Sequence, residues 1–179
     1  MMVLQYMPGG SLESWLQDGT GKDASVETLV FIAHQVALGM GALGRVGIVH
    51  RDLAARNVLI GDGLRAKVSD YGLSREVEEG KDYYRFQTLR SLPIRWTAAE
   101  VLQTARWTVQ TDVWAYGMLL VELFTQGQAP FDELESDEVV QVLAETRSDP
   151  IIAAPQTAPQ MMQTILYQCL RLDPAVCLL

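Results

Sequence analysis

The sequence predicts a mainly α-helical chain that carries short β-hairpins. Two observations point there. Apolar residues recur at helical spacing over residues 25–43 and again over 108–125. Two brief β-prone runs, Val58-Leu59-Ile60 and Ala66-Lys67-Val68, flank the turn-forming Gly61-Asp62-Gly63. With 179 residues the chain is long enough for one domain with a sizeable core.

In chain order, Val3 to Met7 reads as a strand end or extended connector closed by Pro8-Gly9-Gly10. Ser11 is suited to cap a short helix that stops near Asp18-Gly19. A longer helix follows from Ser25, with Val26, Leu29, Val30, Ala33, Val36, Ala37, Met40 and Leu43 along one stripe. Residues 70–96 show no sustained period and predict a long loop. From Thr108 to Thr125 a helix with little polar face predicts the centre of the core. Ser136 is expected to cap the next helix, with Asp137 and Glu138 in its first turn. Thr157-Ala-Pro-Gln160 has capping-box spacing and opens a last helix to about Leu170.

Composition narrows the function. The chain is 49% apolar and 20% charged, an ordinary globular balance. A net charge of −8 argues against nucleic acid or an anionic membrane as partner. Cys169 and Cys177 are too few for a disulfide framework and lack metal-ligand spacing, which favours a reducing compartment. No targeting segment is expected at Met1-Met2-Val3-Leu4, and the apolar run near 115–125, interrupted by Glu122, is too short for a bilayer span.

The chemistry concentrates in His50-Arg51-Asp52-Leu53-Ala54-Ala55-Arg56-Asn57. A carboxylate at Asp52 can accept a proton from a hydroxyl or hold it in line, and Asn57 offers an oxygen suited to a hard cation such as Mg²⁺. Asp70 follows the second short strand and precedes Tyr71-Gly72, well placed for a second metal contact. Two oxygen ligands bracketing a hairpin, a nearby base and Arg56 match what phosphoryl transfer needs: held phosphates, a positioned nucleophile and cations against developing charge. Each element alone has an ordinary structural reading. A turn histidine is usually a satisfied side chain, an aspartate before a helix usually a cap, and an Asp-aromatic-Gly triplet a common turn. Their order and spacing together carry the chemical reading.

These motifs resemble the protein tyrosine kinase catalytic domain, from the hinge through the large C-terminal lobe. The resemblance divides the chain into a hinge at 1–10 and a C-terminal lobe at 11–179, part of an α+β domain when complete. It makes Asp52 the catalytic base, Asn57 and Asp70 the Mg²⁺ ligands, and Asp112, in Asp112-Val-Trp-Ala-Tyr-Gly117, the brace for the catalytic-loop backbone. His50, Arg51 and Glu100 become structural supports. Leu92-Pro-Ile-Arg-Trp-Thr-Ala-Ala-Glu100 resembles the segment that receives the substrate. Arg56 where serine/threonine kinases place a lysine nearer the base, and Pro93 as a platform for the acceptor ring, imply tyrosine as acceptor.

Further implications concern nucleotide and control. Leu4, Gln5 and Met7 resemble the adenine-binding hinge, with Leu59 as the floor of that site. The cofactors implied are ATP and Mg²⁺, and the partners are tyrosine-bearing proteins or peptides. Tyr83 and Tyr84 resemble an autophosphorylation segment, whose phosphate Arg51 and Arg75 could hold. A cytoplasmic setting, or the cytoplasmic part of a membrane receptor, follows.

The departures are specific. No Gly-rich phosphate loop precedes the hinge, and none of Lys22, Lys67 or Lys81 stands in a Val-Ala-Ile-Lys context, so these residues alone are expected to be inactive. Ala99 replaces the proline of the usual Ala-Pro-Glu, and Tyr71 replaces phenylalanine. The arginine partner expected for Glu100 is replaced by Cys177, which leaves a buried carboxylate at a cost of about 3 kcal/mol. Two rival readings stand beside the enzyme: a non-catalytic module that binds partners or substrates, and a fragment of a longer kinase without a separate role.

Overall fold

The computed structural model describes residues 5–70, 75–76, 84–85, 92–146 and 151–172, with backbone pairing alone for 75–76 and 84–85. The proposed roles of Leu4, Tyr71, Tyr83 and Cys177, and of the side chains of Arg75 and Tyr84, lie outside the described residues.

Ser11 caps α1 (Leu12–Gln17), accepting the Ser14 amide at 3.1 Å, and Ser25 caps α2 (Val26–Arg45) through Thr28. Both caps satisfy amides that a first helical turn leaves open. The buried face of α2 matches the predicted stripe at Leu29, Val30, Ala33, Val36 and Met40 and adds Ile32. Ile32, Ala33 and Val36 are buried, whereas Val26 lies at the exposed end of the helix. By length and composition α2 could also cross a bilayer, yet its inner face packs on strand and helix partners within this fold.

After β1 (Ile48–Val49), the chain forms the hairpin β2 (Val58–Gly61) and β3 (Arg65–Val68), antiparallel with Val58 opposite Val68. Its connection is a 3-10 turn, Asp62–Leu64, where Gly63 takes a left-handed φ of 66° that suits glycine. Where it is described, the predicted loop over 70–96 carries local order. β4 (Arg75–Glu76) pairs with β1, β5 (Tyr84–Arg85) pairs with a later strand, and Ile94–Trp96 forms a 3-10 turn. These two-residue strands are too short to show a period of two.

A helix absent from the sequence reading, α3 (Ala99–Thr104), ends at Ala105 in the left-handed region and leads into β6 (Arg106–Trp107), the partner of β5. Next comes α4 (Val109–Phe124), opened by a reciprocal Thr108–Thr111 capping box and buried along almost its whole length. It packs on α2 and on the last helix, forming the centre of the core as expected.

Two caps differ from expectation. In α5 (Ser136–Glu145), Ser136 is already helical. Glu135, at φ −73° and ψ 160°, is the cap residue, with Glu138 accepting its amide at 2.7 Å. α6 (Gln160–Cys169) starts after Pro159, with no side-chain cap. Thr157 instead donates to the Phe124 carbonyl and ties this segment to the end of α4.

Gly117 marks the closest approach of α4 and α6. A Cβ there would lie 2.6 Å from Leu170 Cδ2 and 3.0 Å from Cys169 Cβ. Gly117→Ala should therefore lower the unfolding free energy by about 1–2 kcal/mol, because overpacking outweighs the better helix propensity of alanine. The denaturant midpoint would fall. A rise would mean that Leu170 yields without loss.

Candidate active site

The loop after β1 is built on its backbone. Asp112, at the start of α4, accepts the His50 amide at 2.7 Å and the Arg51 amide at 2.9 Å, one on each carboxylate oxygen. Arg51 can hold its strained φ of 75° because this clamp and the surrounding core over-determine it. Burial pushes the Asp112 carboxyl up to about 6, opposed by those two amides and by the Arg51 charge. The bracing expected of Asp112 is thus present as geometry.

His50 is buried, and its ring links two pieces of backbone. Its Nδ1 accepts the Asp52 amide at 3.3 Å, so Nε2 carries the proton and donates to the Ser69 carbonyl at 3.1 Å. Burial lowers its pKa and keeps the ring neutral, with the Ser69 carbonyl and the Asp52 and Asp70 charges acting against it. Ser69 completes the clasp, since its amide and hydroxyl both donate to the Asn57 carbonyl, at 2.8 and 3.0 Å.

Asp52, Arg56 and Asn57 sit together around the 3-10 turn Ala55–Asn57. Arg56 pairs with the Asp52 carboxylate and lies over the Trp96 ring, 4.5 Å from its centroid. The Asn57 amide nitrogen donates to the Asp52 carbonyl at 2.7 Å, which fixes the side chain and leaves its oxygen for another partner. Asp70 follows Ser69 directly, in the left-handed region at φ 59°. The hairpin therefore brings Asn57 and Asp70 to the same open end, held by the Ser69–Asn57 bonds. Two hard oxygen donors so placed fit a Mg²⁺ ion.

The remaining predicted residues fall on both sides of this loop. The chain at Gly9 and Gly10 is bonded to β2 through Ile60 at 2.8 and 2.9 Å, which sets the 5–10 segment beside half-exposed Leu59. Met7 is buried against Gly61, and Gln5 accepts from Lys67 Nζ at 2.6 Å. On the other side, Pro93 precedes the 3-10 turn of Ile94–Trp96, which Arg95 fastens to the carbonyls of Pro130, Phe131 and Leu134.

The other two predicted supports, Arg51 and Glu100, are withdrawn from water to different degrees. Arg51 is only 4% exposed and stacks over Trp107 at 5.3 Å, so its guanidinium lies within the fold rather than free for a loop phosphate. Glu100 is partly buried, its carboxyl pushed up by desolvation and held back by its own backbone amide.

Sequence reasoning missed Glu122. One oxygen of this fully buried carboxylate accepts both the Ala55 amide and the Trp96 indole N–H, each at 2.9 Å. Burial pushes its carboxyl up to about 7, offset by Trp96, Ala55 and the Arg56 charge, with Glu13 adding to the rise. The available signal was a lone carboxylate inside an otherwise apolar helix.

A loop that carries carboxylate, guanidinium and amide on one turn, braced from the central helix and clasped to a hairpin that ends in Asp70, has a counterpart among known families. The family model for protein tyrosine and serine/threonine kinases matches residues 1–176, nearly the whole chain. The chain belongs to the protein tyrosine and serine/threonine kinase family, whose members are phosphotransferases that use ATP and Mg²⁺.

Proposed function

We propose that this chain is the large lobe of a tyrosine-specific protein kinase, transferring the γ-phosphate of ATP to tyrosine hydroxyls. The observation that carries the reading is Arg56, paired with Asp52 and stacked on Trp96 beside Pro93. A planar guanidinium there spans the base and the acceptor platform, as a longer aromatic acceptor requires.

In this reading Asp52 orients the tyrosine hydroxyl and takes its proton. Arg56 offsets charge developing on the transferred group. Asn57 and Asp70 would hold Mg²⁺, which when bound neutralises phosphate charge. His50 and Asp112 keep the loop in shape through its amides. Leu4, Gln5, Met7 and Leu59 are the nucleotide-binding residues in this reading, and Pro93 supports the acceptor ring. The backbone at Tyr84 pairs with that of Trp107, and the Tyr83–Tyr84 pair has a regulatory role in this reading. Glu100 is a structural support, and the setting is cytoplasmic or the cytoplasmic side of a receptor.

The test is acceptor identity. The native protein, given Mg-ATP and matched peptides that differ only in tyrosine, serine or threonine, should label tyrosine at least about tenfold faster. Equal or faster labelling of serine would overturn the tyrosine assignment and leave the kinase family intact.

A further inference from the structure

Helix α2 presents an outer face unlike that of an ordinary surface helix. Between Glu27 and Arg45, the stretch from Thr28 to Gly44 contains no Asp, Glu, Lys or Arg. The inner face accounts for part of this, through Ile32, Ala33 and Val36 in the core. The opposite face of such a helix is normally charged. Here it holds Phe31 at 49% and Leu38 at 60% exposure, with Gly41 and Ala42 exposed beside them. A lone exposed leucine is ordinary, but these residues fall on one line.

That line is Glu27, Phe31, His34, Leu38, Gly41 and Arg45, all exposed and alternately four and three residues apart. The alternation is the heptad seam of two helices packed side by side at about 20°. The seam is also complementary to itself. Turned end over end about the level of Val36, Glu27 faces Arg45 of a second copy, Phe31 faces Gly41, and His34 faces Leu38. Carboxylate meets guanidinium at both rims, and a ring enters the gap left by a missing side chain. Gly41 offers that gap: within 4 Å a Cβ there would meet the flexible end of Arg45, at 3.7 Å, and no other side chain. A parallel pair would set Glu27 on Glu27 and Phe31 on Phe31, losing both matches. A lipid surface would gain nothing from the charged ends or from the gap.

We propose that the outer face of α2 is a self-association surface, which joins two copies of this protein through an antiparallel α2–α2 pair. Two-fold symmetry makes each contact twice, so both the charge match and the Phe31–Gly41 fit are doubled. The seam includes none of the residues placed at the candidate active site, and the pairing stands whichever hydroxyl the kinase labels. One helix from each copy makes a small interface. The association is therefore weak, with a dimer Kd on the order of 10 µM.

Sedimentation equilibrium of the native protein, over about 1 to 200 µM, tests it. The mass should rise from that of one copy to that of two. Leu38→Glu puts a charge into the central layers and should weaken pairing at least about thirtyfold. Gly41→Leu fills the gap that receives Phe31. It should raise the thermal midpoint of the monomer, since leucine favours a helix, while weakening the dimer at least about tenfold. Arg45→Glu alone should weaken pairing about fivefold, and adding Glu27→Arg should restore it to within about twofold of the native value. A monomer at every concentration would overturn the proposal. So would a dimer indifferent to Leu38→Glu and Gly41→Leu, or a double charge reversal no tighter than the single one. Should Gly41→Leu fail to fold, Leu38→Glu and the charge pair decide. Phosphatidylcholine vesicles address the rival cover: a monomer that floats with them, and more so as Gly41→Leu, assigns the face to lipid and sinks the pairing.

Discussion

Asp52→Asn should lower phosphate transfer to peptide by about a thousandfold, with ATP affinity changed less than about threefold. The amide has the size of the carboxylate but cannot take the hydroxyl proton, and it no longer neutralises Arg56. The fold should survive the change. The Asp52 amide bond to His50 and its carbonyl bond from Asn57 are backbone contacts, and Arg56 still stacks on Trp96. A transfer assay paired with thermal denaturation separates chemistry from stability. Transfer retained to within about tenfold would remove Asp52 from the role of base.

Asp112→Ala should have the largest effect on stability, a loss of about 3–5 kcal/mol in denaturant unfolding. It strips two buried amides, His50 and Arg51, of their acceptor, and Arg51 is held at a left-handed φ. pH dependence gives a second check. The folded Asp112 carboxyl is raised to about 6 from its ordinary value near 4. The folded state therefore binds the proton more tightly, and this group's contribution to stability is lost as pH rises from about 4 to about 6. Glu122, raised to about 7, extends the same trend upward. His50 acts in the other direction: its lowered pKa gives stability that is lost as pH falls below the free histidine value. Asp112→Asn should flatten the wild-type slope between about pH 4 and 6 and leave the part near 7. An unchanged slope would mean that Asp112 does not titrate there.

Much of this site was legible in the sequence because its chemistry is local. Asp52, Arg56 and Asn57 lie on one turn, and the hairpin that presents Asp70 is written in Val58–Ile60, the glycines and Ala66–Val68. The long apolar helix and the cap at Ser11 were equally local. What escaped depends on contacts between distant segments. Nothing near Ser136 reveals that Glu135 takes the extended conformation, and Thr157 was drawn from its expected cap by the Phe124 carbonyl. The short α3 and the paired strands at 75–76 and 84–85 have no period to detect. Glu122 was visible as an interruption, but its two donors come from turns that only the fold brings together.

The Ser69 clasp has a mechanical consequence. Ser69 donates twice to Asn57 and accepts from His50, so the backbone leading to Asp70 cannot slide along the catalytic loop without breaking three bonds together. The two oxygen donors therefore behave as jaws of one rigid tool. Their separation is set by the fold itself, before any ligand arrives.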